Sequence, residues 1–295
     1  MTAWNQRILV PTDGTAFADR MLVRIRPLLD EESEVTLLHV YPRSVFGEAT
    51  KAQDAIAKAR KRLARLAKLV EKWGARAKVA VMVGDPAEEI AAFARSYRPS
   101  LVAMATHARA GVGRIVQGSV AETVLRATEF PVLLANATQK GRSSRIRRIL
   151  VPLDGSGLAS SALPTAKRVA KALIADLVLL QAVPVAGVAA PEEAVMTHAE
   201  AKGYLSNAAQ GARGITTRTV VATGKAADSI LRAIERERAD LVVMSSHGHS
   251  GVARWILGSV AEKVVRSAPC PVLVTRGARG REAAPKTVRA TARAK

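Results

Sequence analysis

The sequence predicts an α/β protein made of two doubly wound, five-stranded parallel-sheet domains in tandem. Three observations carry that expectation. Short apolar runs alternate with longer segments of helical periodicity, Gly, Pro and Asp turn clusters close the apolar runs, and the pattern occurs twice at an offset of 140 to 141 residues. Strands joined through helices pair in parallel with right-handed crossovers, because each helix must pack back onto the sheet it left.

In the first copy, Arg7-Ile8-Leu9-Val10-Pro11 is a strand that ends in the turn cluster Thr12-Asp13-Gly14-Thr15. That cluster caps a helix expected over Ala16 to Leu29. A second strand spans Glu34 to Tyr41, and Ile56, Leu63, Leu66, Val70 and Trp73 give helical periodicity to Ala49 through Trp73. Ala77 to Val83 is the third strand, and Pro86 starts a helix over Ala87 to Tyr97. Leu101 to Thr106, a loop to Gly118-Ser119, a helix through Ala127 and a strand Val132 to Ala135 complete the set.

The second copy opens with Arg148-Ile149-Leu150-Val151-Pro152-Leu153-Asp154-Gly155-Ser156, and Gly118-Ser119-Val120-Ala121-Glu122 recurs as Gly258-Ser259-Val260-Ala261-Glu262. The expected organisation is therefore a first domain over 1–138, a basic linker over 139–146, a second domain over 147–276 and a basic tail over 277–295. The tail lacks apolar periodicity and is expected to be disordered.

A hydrophobic content of 48% over 295 residues is ample for two packed cores. No run of about 18 apolar residues is present and the N-terminus lacks a signal-peptide pattern, so a cytoplasmic location is expected, with no membrane partner. The single cysteine, Cys270, precludes an internal disulfide and reads as a small core residue. The net charge of +20 is concentrated: Lys51 to Lys78 carries +8, Gln139 to Arg148 +5 and Arg276 to Lys295 +6. Such stretches ordinarily solvate a helix, a linker and a tail. Contact of the basic tail with nucleic acid or another polyanion is the rival reading, and aromatics at 3% offer no base-stacking platform for it.

In an open parallel sheet, ligands lie beyond the carboxyl ends of the strands, where strand order reverses. In this Rossmann-like arrangement the second-copy candidates are Pro152, Asp154, Gly155 and Ser156 after its first strand and Ala182 at the end of its second. Ser245, Ser246, His247, Gly248 and Gly251 follow its fourth strand, and Gly258, Ser259 and Val260 open its last helix. The first-copy counterparts are Pro11, Asp13, Gly14, Val40, Gly118 and Ser119. Loop N–H groups and a helix N-terminus suit phosphates, while a carboxylate and backbone beside the first two strands suit a base or ribose. Asp13 and Asp154 equally fit a purely structural role as turn caps.

On these residues the chain resembles a tandem universal stress protein, over about residues 5 to 276. Val151-Pro152-Leu153-Asp154-Gly155-Ser156 matches the opening pattern of that family, and Val10 to Thr15 matches it with threonine last. Nucleotide-binding members carry Gly-x2-Gly-x9-Gly-Ser/Thr after the fourth strand. Here the second copy has Ser245, Gly248, Gly258 and Ser259, while the first has Ala105, Ala108, Gly118 and Ser119. Where those glycines take positive φ, a side chain costs about 1–2 kcal/mol, so nucleotide is expected mainly in the second domain. The resemblance implies an adenine nucleotide, ATP, with Mg2+ as its companion ion, in a stress-response sensor and regulator that is not primarily an enzyme. It also implies an intrachain pseudo-dimer through the last strands, Val132-Leu133-Leu134 and Val272-Leu273-Val274, and homo-oligomers of such chains. The rivals are a nucleotide-free protein-interaction module and a slow ATP hydrolase. His107 and His247 have no nearby triad partners and read as structural, and the five histidines show no metal-site spacing.

Overall fold

A computed structural model describes residues 6–45, 49–106, 119–136, 139, 145–184, 197–246 and 257–276. In the first domain β1 (Arg7–Pro11), β2 (Glu34–Tyr41), β3 (Arg76–Val83), β4 (Leu101–Thr106) and β5 (Val132–Asn136) alternate with α1 (Ala16–Ile25), α2 (Ala49–Glu71), α3 (Pro86–Tyr97) and α4 (Ser119–Ala127). In the second, the strands are β6 (Arg148–Leu153), β7 (Asp176–Val183), β8 (Thr217–Thr223), β9 (Leu241–Ser245) and β10 (Val272–Thr275). Its helices are α5 (Gly157–Ser160), α6 (Leu163–Leu173), α7 (His198–Gln210), α8 (Ala226–Arg236) and α9 (Ser259–Ser267).

The ten strands form one sheet in the order β3-β2-β1-β4-β5-β10-β9-β6-β7-β8. Within each domain neighbouring strands are parallel, and the order reverses between β1 and β4 and again between β6 and β9. The two halves join where β10 runs antiparallel to β5, with Val272 opposite Leu134 and Val274 opposite Val132. The expected pairing of the last strands is thus present, and it makes one continuous sheet.

The strand alternation explains the layers. Ile8 and Val10 of β1 point to a cluster with Met21, Leu22, Leu63 and Val70 of α1 and α2. Leu9 points to the opposite cluster with Ile90 and Val124 of α3 and α4. Period-2 burial on both faces is what a sheet covered by helices on each side requires.

Two helix ends differ from the sequence reading. The helix expected to reach Leu29 stops at Ile25 and continues as a 3₁₀ turn, Arg26–Leu28, because Pro27 has no N–H to donate into the α-helical ladder. α2 stops at Glu71, and Trp73 sits in the turn before Gly74, whose φ of +91° closes the helix. Trp73 still packs against the core.

The two domains also exchange helix caps. The Asn136 side-chain amide, at the end of β5, donates to the carbonyls of Val265, Arg266 and Ala268 at 3.0, 3.1 and 3.1 Å, satisfying the C-terminus of α9. Its counterpart after β10, Arg276, donates to Arg126 O at 2.7 Å and Thr128 O at 3.2 Å at the C-terminus of α4. Gln139 adds a bond from its side-chain amide to Cys270 O at 2.7 Å, and Cys270 is buried as expected.

Candidate functional site

Each sheet half carries a cleft at its switch point. In the second domain the Asp154-Gly155-Ser156 turn is built by local chemistry. The Asp154 carboxylate accepts from Ser156 N at 2.9 Å and Ser156 Oγ at 2.6 Å, and Ser156 Oγ in turn accepts from Ala159 N at 3.0 Å, capping α5. Gly155 takes φ +86°, a left-handed value that a Cβ would strain, so the chain can turn from β6 into the helix. The first domain repeats this construction atom for atom. Asp13 accepts from Thr15 N at 2.9 Å and Thr15 Oγ1 at 2.7 Å, Thr15 caps α1 through Ala18 N at 3.1 Å, and Gly14 has φ +90°. Both aspartates therefore act as turn caps, and both also line a cleft.

The second-domain cleft has a volume of about 270 Å³. Of the sequence-predicted residues it brings together Pro152, Asp154, Ala182, Ser245, Ser246, Gly258, Ser259 and Val260. Gly155 and Ser156 stand behind it as the turn that aims Asp154. His247, Gly248 and Gly251 lie outside the described residues. The ends of that loop are nonetheless fixed: Gly258 N donates to Ser246 O at 2.9 Å, and Ser246 N donates to Thr275 O at 2.9 Å. Gly258 precedes α9 and offers no side-chain cap, so the positive N-terminal end of α9 opens on the cleft. The rest of the lining is largely apolar and includes Leu180, Ala182, Ile230 and Met244.

The first-domain cleft is larger, about 440 Å³, and includes the predicted Pro11, Asp13 and Val40. Gly14 belongs to the turn behind it, Gly118 lies outside the described residues, and Ser119 is described only as the first residue of α4. Ala105 lines this cleft from within β4. Neither Ala105 nor Ser245 has positive φ. The expected backbone penalty for a side chain at the first motif glycine is therefore absent in both domains, because each position is the last or next-to-last residue of an extended strand.

Sequence reasoning missed His39 as a cleft residue. It is buried at the end of β2, its Nδ1 stands 2.8 Å from Thr12 O, and its ring meets Tyr41 edge-on at 4.3 Å. Burial and the nearby Arg62 guanidinium push its pKa down, against the Thr12 carbonyl and Asp13, which raise it. The available signal was its place beside Val40 at the carboxyl end of a strand. The same position in the second domain holds Gln181, in register with Leu153, and in the first domain Leu38, the residue before His39, is in register with Pro11.

The turn after the first strand is tied to the crossover helix differently in the two copies. Arg62 of α2 donates to Thr15 O at 3.2 Å and pairs with Asp19 at 2.5 Å. In the second domain Ser160 Oγ donates to Ser156 O at 2.9 Å and lies 2.8 Å from the Tyr204 hydroxyl of α7. An ion pair is thus replaced by a hydroxyl pair at one structural position.

The universal stress protein family model matches residues 5–136 and 145–276. The chain belongs to that family, as a tandem of two such domains. A universal stress protein of Methanocaldococcus jannaschii is 30% identical over 162 residues, spanning 52% of this chain and 94% of its own length. One from Bacillus subtilis is 32% identical over 145 residues, 44% of this chain and 98% of that protein. The crystal structure of a universal stress protein from Archaeoglobus fulgidus superposes with a TM-score of 0.74 at 25% identity, covering 94% of this chain and all (100%) of that one. No helix among the described residues is long and apolar enough to cross a membrane, and no cluster of three or more metal-ligating side chains occurs among them.

Proposed function

We propose that this chain is a stress-response protein that binds an adenine nucleotide, ATP with its magnesium ion, mainly in the second-domain cleft, and signals occupancy to partners as a sensor and regulator. The observation that carries the reading is the polarity of that cleft. Its lining combines Ser245, Ser246 and the uncapped N-terminus of α9, a setting for phosphate, with Leu180, Ala182 and Ile230, a setting for a flat base. Asp154 lines the cleft half-buried, placed for a ribose or base contact, whereas Asp13 is exposed. No acid–base pair suited to rapid turnover lines the cleft among the described residues, so its chemistry is binding, with hydrolysis slow.

The test is nucleotide released on denaturing the purified protein, identified by mass, together with its melting temperature with and without millimolar Mg-ATP. A ligand held only by the native state raises the midpoint. Filling the cleft with Ala182→Phe removes the shift, while Val40→Phe in the other domain leaves most of it. Absence of both co-purified nucleotide and thermal shift in the wild type would favour the interaction-module reading.

A further inference from the structure

The crossover helix of the first domain carries a feature that neither the fold nor the cleft uses. Lys58, Lys61, Arg65 and Lys68 of α2, with Lys72 in the closing turn, recur at steps of three and four residues and therefore fall in one stripe. Lys72 stays on the helical path, its N–H bonded to Lys68 O at 3.1 Å. All five side chains are exposed, and the stripe lies opposite the buried face formed by Ala59, Leu63, Ala67 and Val70. None of the five makes an ion pair with a described residue. Asp54, one turn earlier, ends the row at the N-terminal side.

The second domain shows that packing does not demand these charges. Aligning the buried Leu63 with the buried Leu205 puts Glu200, Gly203, Asn207, Gln210 and Gly214 at the five equivalent places. Like charges three and four apart repel and weaken a helix, yet here they stand together.

We propose that this stripe docks the phosphate backbone of a nucleic acid duplex without reading its sequence. The fourteen helical steps from Lys58 to Lys72 span ~21 Å, and a duplex presents a phosphate charge every ~1.7 Å of its axis with both strands counted, so the whole row has phosphates within reach. A row of cations fixed on a rigid helix suits a rigid polyanion of high charge density. The stripe contains no aromatic residue to stack on a base. A lipid surface fits less well, because the apolar face of α2 is consumed by the sheet and Leu69 is the one large apolar side chain exposed among the described residues of α2, too little to enter a bilayer.

The experiment measures binding of the full-length protein to a mixed-sequence DNA duplex of about 30 base pairs by fluorescence anisotropy, from about 50 to about 250 mM salt. Replacing all five residues by glutamine, which keeps helix propensity, weakens binding at least about tenfold and flattens the salt slope by about 4 to 5. Exchanging Lys58, Lys61, Lys68 and Lys72 for arginine and Arg65 for lysine preserves it. Arg65→Gln alone flattens the slope by about 0.9, which keeps the proposal testable if the five-fold variant folds poorly. A parallel variant with Arg279, Arg281, Lys286, Arg289 and Arg293 replaced by glutamine has the smaller effect. The proposal is overturned if the wild type does not bind duplex, if only the tail variant loses binding, or if the stripe serves anionic phosphatidylserine vesicles and not duplex.

Discussion

The two domains share a scaffold and differ in what they built on it. Both have the same Asp-Gly-Ser/Thr turn with the same hydrogen bonds, the same switch point and a cleft beside it. In the first domain the cleft is wider, its aspartate is exposed, and a buried histidine stands near an arginine. In the second the cleft is tighter and its aspartate half-buried. The two copies share the residues that turn the chain and differ in those that line the cleft, because the former are fixed by backbone geometry and the latter are not.

The largest expected effect separates the clefts. Ala182→Phe lowers Mg-ATP affinity tenfold or more, ~1.4 kcal/mol or greater, and calorimetry on Val40→Phe should show affinity close to wild type. Equal losses in the two variants would erase the asymmetry.

Next is the exchanged capping. Asn136→Ala removes a donor from three carbonyls at the end of α9, of which that of Ala268 keeps a 3.3 Å bond from Gln139, and should cost about 1–3 kcal/mol in denaturant unfolding. Arg276→Ala, at an exposed position, should cost less. The reverse order would mean that the first domain depends on the second more than the second on the first.

A smaller effect lies at the third crossover of each domain. α3 starts at Asp85, whose carboxylate accepts from Ala87 N at 2.9 Å and Glu88 N at 3.0 Å, while α8 starts at Lys225 with no side-chain cap. The missing cap accompanies Ala226, which stands where the first domain has Pro86. Asp85→Ala should destabilise by about 1 kcal/mol and Lys225→Asp should stabilise by up to a similar amount, read as opposite shifts in melting temperature.

The smallest concerns His39. Its folded pKa is depressed, so the unfolded chain binds the proton more readily, and stability is lost as pH falls from the unfolded value near 6.5 through the folded one. His39→Gln, which copies Gln181, should remove that share of the slope that sets in as pH falls below about 7. A melting profile of unchanged slope would show that the histidine titrates alike in both states.

Much of this was legible in the sequence. The strands Arg7–Pro11, Glu34–Tyr41 and Leu101–Thr106 have the bounds that their apolar runs gave, because buried parallel strands are continuous hydrophobic segments. The helix after the first strand was read too long, since its periodicity runs past Pro27 while its hydrogen bonds do not. Gly14 and Gly155 were found as motif residues, and their left-handed φ supplies the reason. His39 was passed over because a histidine inside an apolar strand looks like core until the neighbouring strands close around it.

The sequence by itself determined the repeat, the α/β class, the turn chemistry at Asp13 and Asp154, and the family, all of which follow from local patterns read twice. Tertiary structure decided what depends on residues far apart in the chain. It joined β5 to β10, sent Asn136 and Arg276 across to cap each other's domain, and gave two similar motifs clefts of different size. Local spacing fixes which way the backbone turns, but the volume between two helices and the partner of a side chain are set by packing over the whole sheet.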